Sequence, residues 1–83
     1  MTNPHPNPMF DGVDMDQWAA IAWNMIFRKM ADGGDCVLIQ SKRTRFLVKK
    51  WLDPSSRGKV VGSIEEALRH ADYLASKQGG WQK

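Results

Sequence analysis

Cysteine is almost absent from this 83-residue chain, in which Cys36 is the only one. A single thiol excludes an internal disulfide framework, and its neighbours Val37, Leu38 and Ile39 predict a buried, inert side chain. No apolar run approaches the ~18 residues that a bilayer-spanning helix needs. The first residues also lack the apolar segment of a secretory signal. We therefore expect a cytoplasmic protein that does not associate with membranes.

Residues able to carry catalysis or bind a metal are scarce. The two histidines, His5 and His70, are far apart in sequence and show no zinc-type spacing with Cys36. The adjacent Glu65 and Glu66 are typical of a helix N-terminus. No serine has a histidine at a spacing that indicates nucleophilic catalysis. The sequence thus predicts no enzymatic activity, no metal and no cofactor.

Acidic residues are nearly missing from Ser41 to Lys59, where Asp53 is the only one. The same stretch holds seven of the twelve basic residues, so the net charge of +3 arises there. The basic residues are Lys42, Arg43, Arg45, Lys49, Lys50, Arg57 and Lys59. This concentration predicts a surface that attracts an anionic partner.

Proline is concentrated near the start, where Pro4, Pro6 and Pro8 favour extended backbone. We predict a flexible arm over residues 1–13, a single domain over 14–78 and a short tail over 79–83. The arm is interpreted either as plain disorder or as a docking segment that uses Met9 and Phe10.

The stretch from Asp14 to Ala31 predicts a first helix that Asp14 caps and Gly33 stops. Its apolar arc is wider than one packed face requires. The surplus residues are Trp18, Ile21, Met25 and Phe27. They are interpreted either as core that packs against the tails or as a protein interface, with a homodimer or with a host partner.

Strands are predicted at Cys36–Gln40 and Arg45–Trp51, joined by a four-residue loop, and Lys59–Val61 is a candidate third strand. Ser63 with Glu66 predicts the start of a second helix. The predicted fold class is α+β, one small domain in the order helix, antiparallel β-hairpin with its candidate third strand, helix. With both helices on one face, the other sheet face is left open and carries Leu38, Leu47 and Trp51.

Three interpretations of the basic hairpin stay open: binding of nucleic acid, recognition of an acidic protein surface, and a solvated edge that prevents strand pairing between chains. For the first two, Trp51 is a candidate aromatic anchor. The candidate binding residues are Lys42, Arg43, Arg45, Lys49, Lys50, Trp51, Arg57 and Lys59.

The run from Val37 to Ser41, followed by Thr44, a second strand, a loop and a helix, resembles part of a small phage-encoded anti-CRISPR protein. The resemblance implies a compact inhibitor that occupies a surface of a host protein or nucleoprotein complex. It does not imply DNA mimicry by acidic residues, because this hairpin is basic. The alternatives are an autonomous DNA- or RNA-binding module and a small structural or homodimeric subunit. We expect a monomer when the protein is free.

Overall fold

A computed structural model of the chain describes residues 8–32, 34–53 and 55–82. The elements within these residues are a 3-10 turn at Pro8–Phe10, β1 at Ala19–Ala22, β2 at Met25–Lys29, β3 at Cys36–Lys42, β4 at Arg45–Lys50, β5 at Lys59–Val61 and α1 at Ile64–Ser76. The strands form one antiparallel sheet in the order β1-β2-β3-β4-β5, and α1 packs against β3, β4 and β5. Nothing helical in these residues has both the length and the apolar character needed to cross a bilayer.

The predicted first helix over Asp14–Ala31 is wrong, and so is the helix–hairpin–helix order. The segment instead forms the β1–β2 hairpin, which turns at Trp23–Asn24. Ile26 pairs with Ile39 of the central strand, and both side chains are fully buried. The wide apolar arc is explained by two apolar sheet faces, because alternate residues of a strand point to opposite sides.

The predicted second hairpin is present, but its turn is tighter than expected. Strand β3 extends to Lys42, which pairs with Arg45 and leaves a two-residue turn. Arg43 adopts φ +48 in this turn. The sequence gives no glycine or asparagine here, so the usual signal for a two-residue hairpin turn is missing.

The helix begins where the sequence predicts. The Ser63 hydroxyl accepts a hydrogen bond from the Glu66 amide at 3.2 Å, and Ser63 itself is extended. The buried residues of α1 are Ala67, Ala71 and Ala75. These small side chains let the helix axis approach the sheet closely. Strand β5 also lies where the sequence predicts, paired with β4.

The core continues beyond the predicted domain boundaries of 14 and 78. Phe10, inside the predicted arm, is buried with its ring centroid 5.8 Å from that of Phe46. Trp81, inside the predicted tail, bridges to Met30 and meets Trp18 edge-on at 5.3 Å. Residues 1–7, which include His5, lie outside the described residues. Large rings recruited from both ends enlarge a core that a short chain can otherwise fill only modestly.

Candidate functional site

The strand register divides the sheet into two faces, because residues directly opposite each other in neighbouring strands point to the same side. Ile26, Ile39 and Val48 form one cross-strand row beneath α1. The row formed by Phe27, Leu38 and Lys49 must then lie on the opposite side. We call that side the open face, and its residues in β2–β5 are Met25, Phe27, Lys29, Cys36, Leu38, Gln40, Lys42, Arg45, Leu47, Lys49 and Val60. Trp51 follows β4 and lies opposite Cys36, because its amide donates to the Cys36 carbonyl at 2.9 Å. Its side chain is therefore on the open face as well, where its ring contacts Phe27.

The centre of the open face is aromatic and aliphatic. The rings of Phe27 and Trp51 meet edge-on, with their centroids 5.5 Å apart and an angle of 62° between planes. Leu38 is buried, while Trp51 stays 42% exposed. The indole therefore offers an accessible ring surface that is fixed in place by a neighbouring ring.

Four cations surround this apolar centre. Lys29 lies beside Cys36 at one end, Lys49 beside Leu38, and Lys42 and Arg45 face each other at the other end. The two ends are separated by six residues of β3, or about 20 Å. None of the five strands contains an acidic residue, and no described acid lies within ion-pair distance of these four side chains. The open face therefore carries an excess of positive charge, although the Asp35 carboxylate lies beside Cys36 at the Lys29 end.

The other predicted basic residues lie elsewhere. The Nζ atom of Lys50 is 3.5 Å from Oδ2 of Asp53, whose pKa is lowered first by hydrogen bonds from Ser55 and further by Lys50. Arg57 is exposed in the β4–β5 loop. Arg43 occupies the hairpin turn, and Lys59 pairs with Val48 and so points to the helix side. The structure brings together Lys42, Arg45, Lys49 and Trp51 of the predicted set.

The predicted protein interface on the first helix is divided as well. Trp18 is 5% exposed and belongs to the core, whereas Met25 and Phe27 lie on the open face. Ile21 is exposed in the edge strand β1. Sequence reasoning missed Lys29, because it lies outside the basic stretch and within the predicted helix; a two-residue period over Met25–Lys29 would have placed it beside Phe27.

Asp35 fixes the position of the Trp51 segment. Its Oδ1 accepts the amide of Cys36 at 2.6 Å and the amide of Leu52 at 2.7 Å. One carboxylate thus joins the start of β3 to the residue that follows Trp51. The buried position of Cys36 is as predicted, and burial, followed by the Asp35 charge, raises the pKa of its thiol. Such a thiol is a poor nucleophile at neutral pH.

The β4–β5 loop passes close to β4 at Gly58, which adopts φ +79. A Cβ atom there would lie 2.8 Å from Cδ1 of Leu47 and 3.1 Å from Cβ of Lys49. Only glycine fits this position without displacing those side chains. A side chain at this position would therefore displace two residues of the open face.

No protein-family model, curated protein or solved structure matches this chain. Within residues 8–32, 34–53 and 55–82, no group of three His, Cys, Asp or Glu side chains is arranged to hold a metal ion. The open face offers charge and ring contacts. Lysine and arginine bind phosphate groups, and exposed rings stack on planar bases.

Proposed function

We propose that this chain is a non-enzymatic protein that binds single-stranded nucleic acid across the open face. The observation that carries the proposal is the accessible, ring-supported Trp51 on the same surface as Lys29, Lys42, Arg45 and Lys49. Proteins that bind single strands without sequence preference combine these two features, a positive surface that follows the backbone and aromatic rings that stack on bases.

A single strand fits this surface better than a duplex does. The bases of a duplex are stacked on each other, so an aromatic side chain on a sheet has no free base to contact. A duplex is usually read by an element that enters a groove, whereas the bases of a single strand can be splayed onto a sheet. The length of the open face, about 20 Å along β3, suits a short run of nucleotides.

The test compares fluorescently labelled oligo-dT and oligo-rU of about fifteen nucleotides with a mixed-sequence duplex of the same length. Anisotropy is measured over a series of salt concentrations. With three or four phosphate contacts, the log–log slope of affinity against salt should be about −2 to −3. Duplex binding as tight as single-strand binding would contradict the stacking argument, and so would the absence of any binding at low salt.

Two matched double variants locate the site. Lys42→Gln with Arg45→Gln removes two open-face charges, and the slope should become shallower by about 1.4. Arg69→Gln with Lys77→Gln removes two charges from α1 and its C-terminal end, on the opposite side of the sheet, and the slope should not change. An equal effect of both pairs would mean that only net charge matters, which would contradict a site on the open face.

A second candidate uses the same surface to dock on a host protein or nucleoprotein complex, as the sequence resemblance implies. It is favoured by the exposed Leu52, which follows Trp51 directly. An exposed aliphatic side chain beside an exposed indole can serve as an apolar anchor for a protein partner. Affinity capture with and without nuclease separates the two. A protein partner that survives nuclease and is lost from the Lys42/Arg45 variant would replace the nucleic-acid proposal. A cytoplasmic location is compatible with both candidates and stays a prediction.

A further inference from the structure

The sheet has a second feature of interest at its β5 edge. Strand β5 is last in the sheet order, and among the residues the structure describes it pairs only with β4. An edge strand presents unpaired backbone groups that can accept an additional strand. The other edge, β1, is interrupted by a bulge between Ala20 and Ala22, which disfavours such pairing.

A groove runs beside this edge, between β5 and α1, and encloses about 430 Å³. Its lining residues are Lys59, Val61, Glu66, Arg69, His70 and Tyr73. Val61 is buried and forms an apolar floor, while the Tyr73 ring is exposed and stacks on His70 with centroids 5.9 Å apart. An edge strand beside a helix-lined groove is the arrangement by which several peptide-binding domains add an extended peptide to their sheet.

The charge of the groove selects the kind of peptide. Among the described residues that line the groove, Lys59 from β5 and Arg69 from α1 are cationic and Glu66 is the one acid. The Nζ atom of Lys77 lies 4.6 Å from the centroid of Tyr73, which adds a further cation beside the groove. The excess is positive, so the complementary segment carries carboxylates at the positions that face Lys59 and Arg69.

We infer that this groove binds an acidic peptide segment, which adds to β5 as a sixth strand and places alternate side chains between β5 and α1. The site is separate from the open face, since Lys59 points to the helix side of the sheet. It therefore does not depend on the proposed binding of nucleic acid.

The probe is an acetylated, amidated heptapeptide of alternating Glu and Val, added to the full-length ¹⁵N-labelled protein. Saturable shifts should appear at the amides of Lys59–Val61 and on the groove side of α1, with a dissociation constant below about 1 mM. A matched peptide of alternating Lys and Val should not bind. The Glu–Val peptide with N-methyl groups at alternate residues should bind at least about fivefold more weakly, because it cannot complete a strand ladder.

Two charge reversals complete the test. Arg69→Glu should weaken peptide binding at least about fivefold, whereas Arg45→Glu, the same change on the open face, should leave it within about twofold. If Arg69→Glu does not fold, Arg69→Gln should show a smaller loss in the same direction. The absence of peptide binding, or shifts confined to the open face, would overturn the inference. Equal loss of binding in both charge-reversal variants would also overturn it. So would undiminished binding of the N-methylated peptide or equal binding of the Lys–Val peptide.

Discussion

The indole of Trp51 lies edge-on against the ring of Phe27, with 5.5 Å between their centroids, although the two residues are 24 positions apart in sequence. The pair crosses β3, because Phe27 belongs to β2 and Trp51 follows β4. Its position is fixed by backbone contacts on both sides, through the pairing of Phe27 with Leu38 and the bond from the Trp51 amide to Cys36. A ring held in this way loses little further freedom when a ligand stacks on it.

Trp51→Ala should weaken single-strand binding by about 5- to 150-fold, the range expected for loss of one base-stacking contact of about 1–3 kcal/mol. The measurement is anisotropy with labelled oligo-dT. Trp23→Ala is the matched control, because Trp23 is 62% exposed in the β1–β2 turn, outside the strands that form the open face. Equal loss in both variants would show that exposed indoles in general, and not Trp51, account for binding.

Gly58→Ala should destabilise the fold by about 1–3 kcal/mol, because alanine is disfavoured at φ +79 and its Cβ would clash with Leu47. Gly62→Ala is the control, since a Cβ there meets nothing within 4 Å and its φ is not in the left-handed region. The free energies of unfolding come from urea melts. Similar melting midpoints for the two variants would contradict the close approach at Gly58. The Gly58 variant should also bind oligo-dT more weakly, because Leu47 and Lys49 would shift.

The C-terminal half of the fold could be predicted from sequence because its local signals agree. Lys59–Val61 reads as a strand, and the Ser63 cap with Glu66 marks the helix start that the structure has. The N-terminal half could not be, because Ala19, Ala20 and Ala22 favour helix by intrinsic propensity. Pairing of Ile26 with Ile39 in the middle of the sheet overrides that preference.

The wrong prediction of a first helix also left the predicted site incomplete. Lys42, Arg45, Lys49 and Trp51 were predictable from one hairpin, since alternate residues of a strand share a face. Lys29 and Phe27 complete the surface, but they belong to β2, a segment that the sequence pattern predicts to be helical. Lys50 and Lys59 were grouped with the others by sequence proximity, yet strand alternation places them on the helix side.

Ser41→Ala should stabilise the protein by about 1 kcal/mol. The Ser41 hydroxyl is buried at the core side of β3 and finds no hydrogen-bond partner among the described residues. A buried, unpaired polar group costs about 1–3 kcal/mol, and alanine keeps the backbone bond from the Ser41 amide to the Asn24 carbonyl. Ser56→Ala is the contrasting control, because the Ser56 hydroxyl accepts the Lys50 amide at 3.2 Å and its loss should destabilise. A loss of stability in the Ser41 variant would mean that its hydroxyl is satisfied in solution.

The last prediction concerns His70, whose pKa is lowered from about 6.5, first by burial against the sheet and further by the Lys59 charge. Unfolded His70 therefore binds a proton more readily than folded His70 does, so folding stability should fall as the pH drops below about 6.5. The titratable groups that line the groove with His70 are Lys59 from β5 and Glu66, Arg69 and Tyr73 from α1. Urea melts at several pH values from neutral to mildly acidic should show a smaller loss of stability for His70→Asn than for the wild type. Lys59→Gln should raise the pKa of His70 measured by NMR without restoring it fully, because burial is the larger cause. A measured pKa at or above 6.5 in the wild type would contradict this account of the groove.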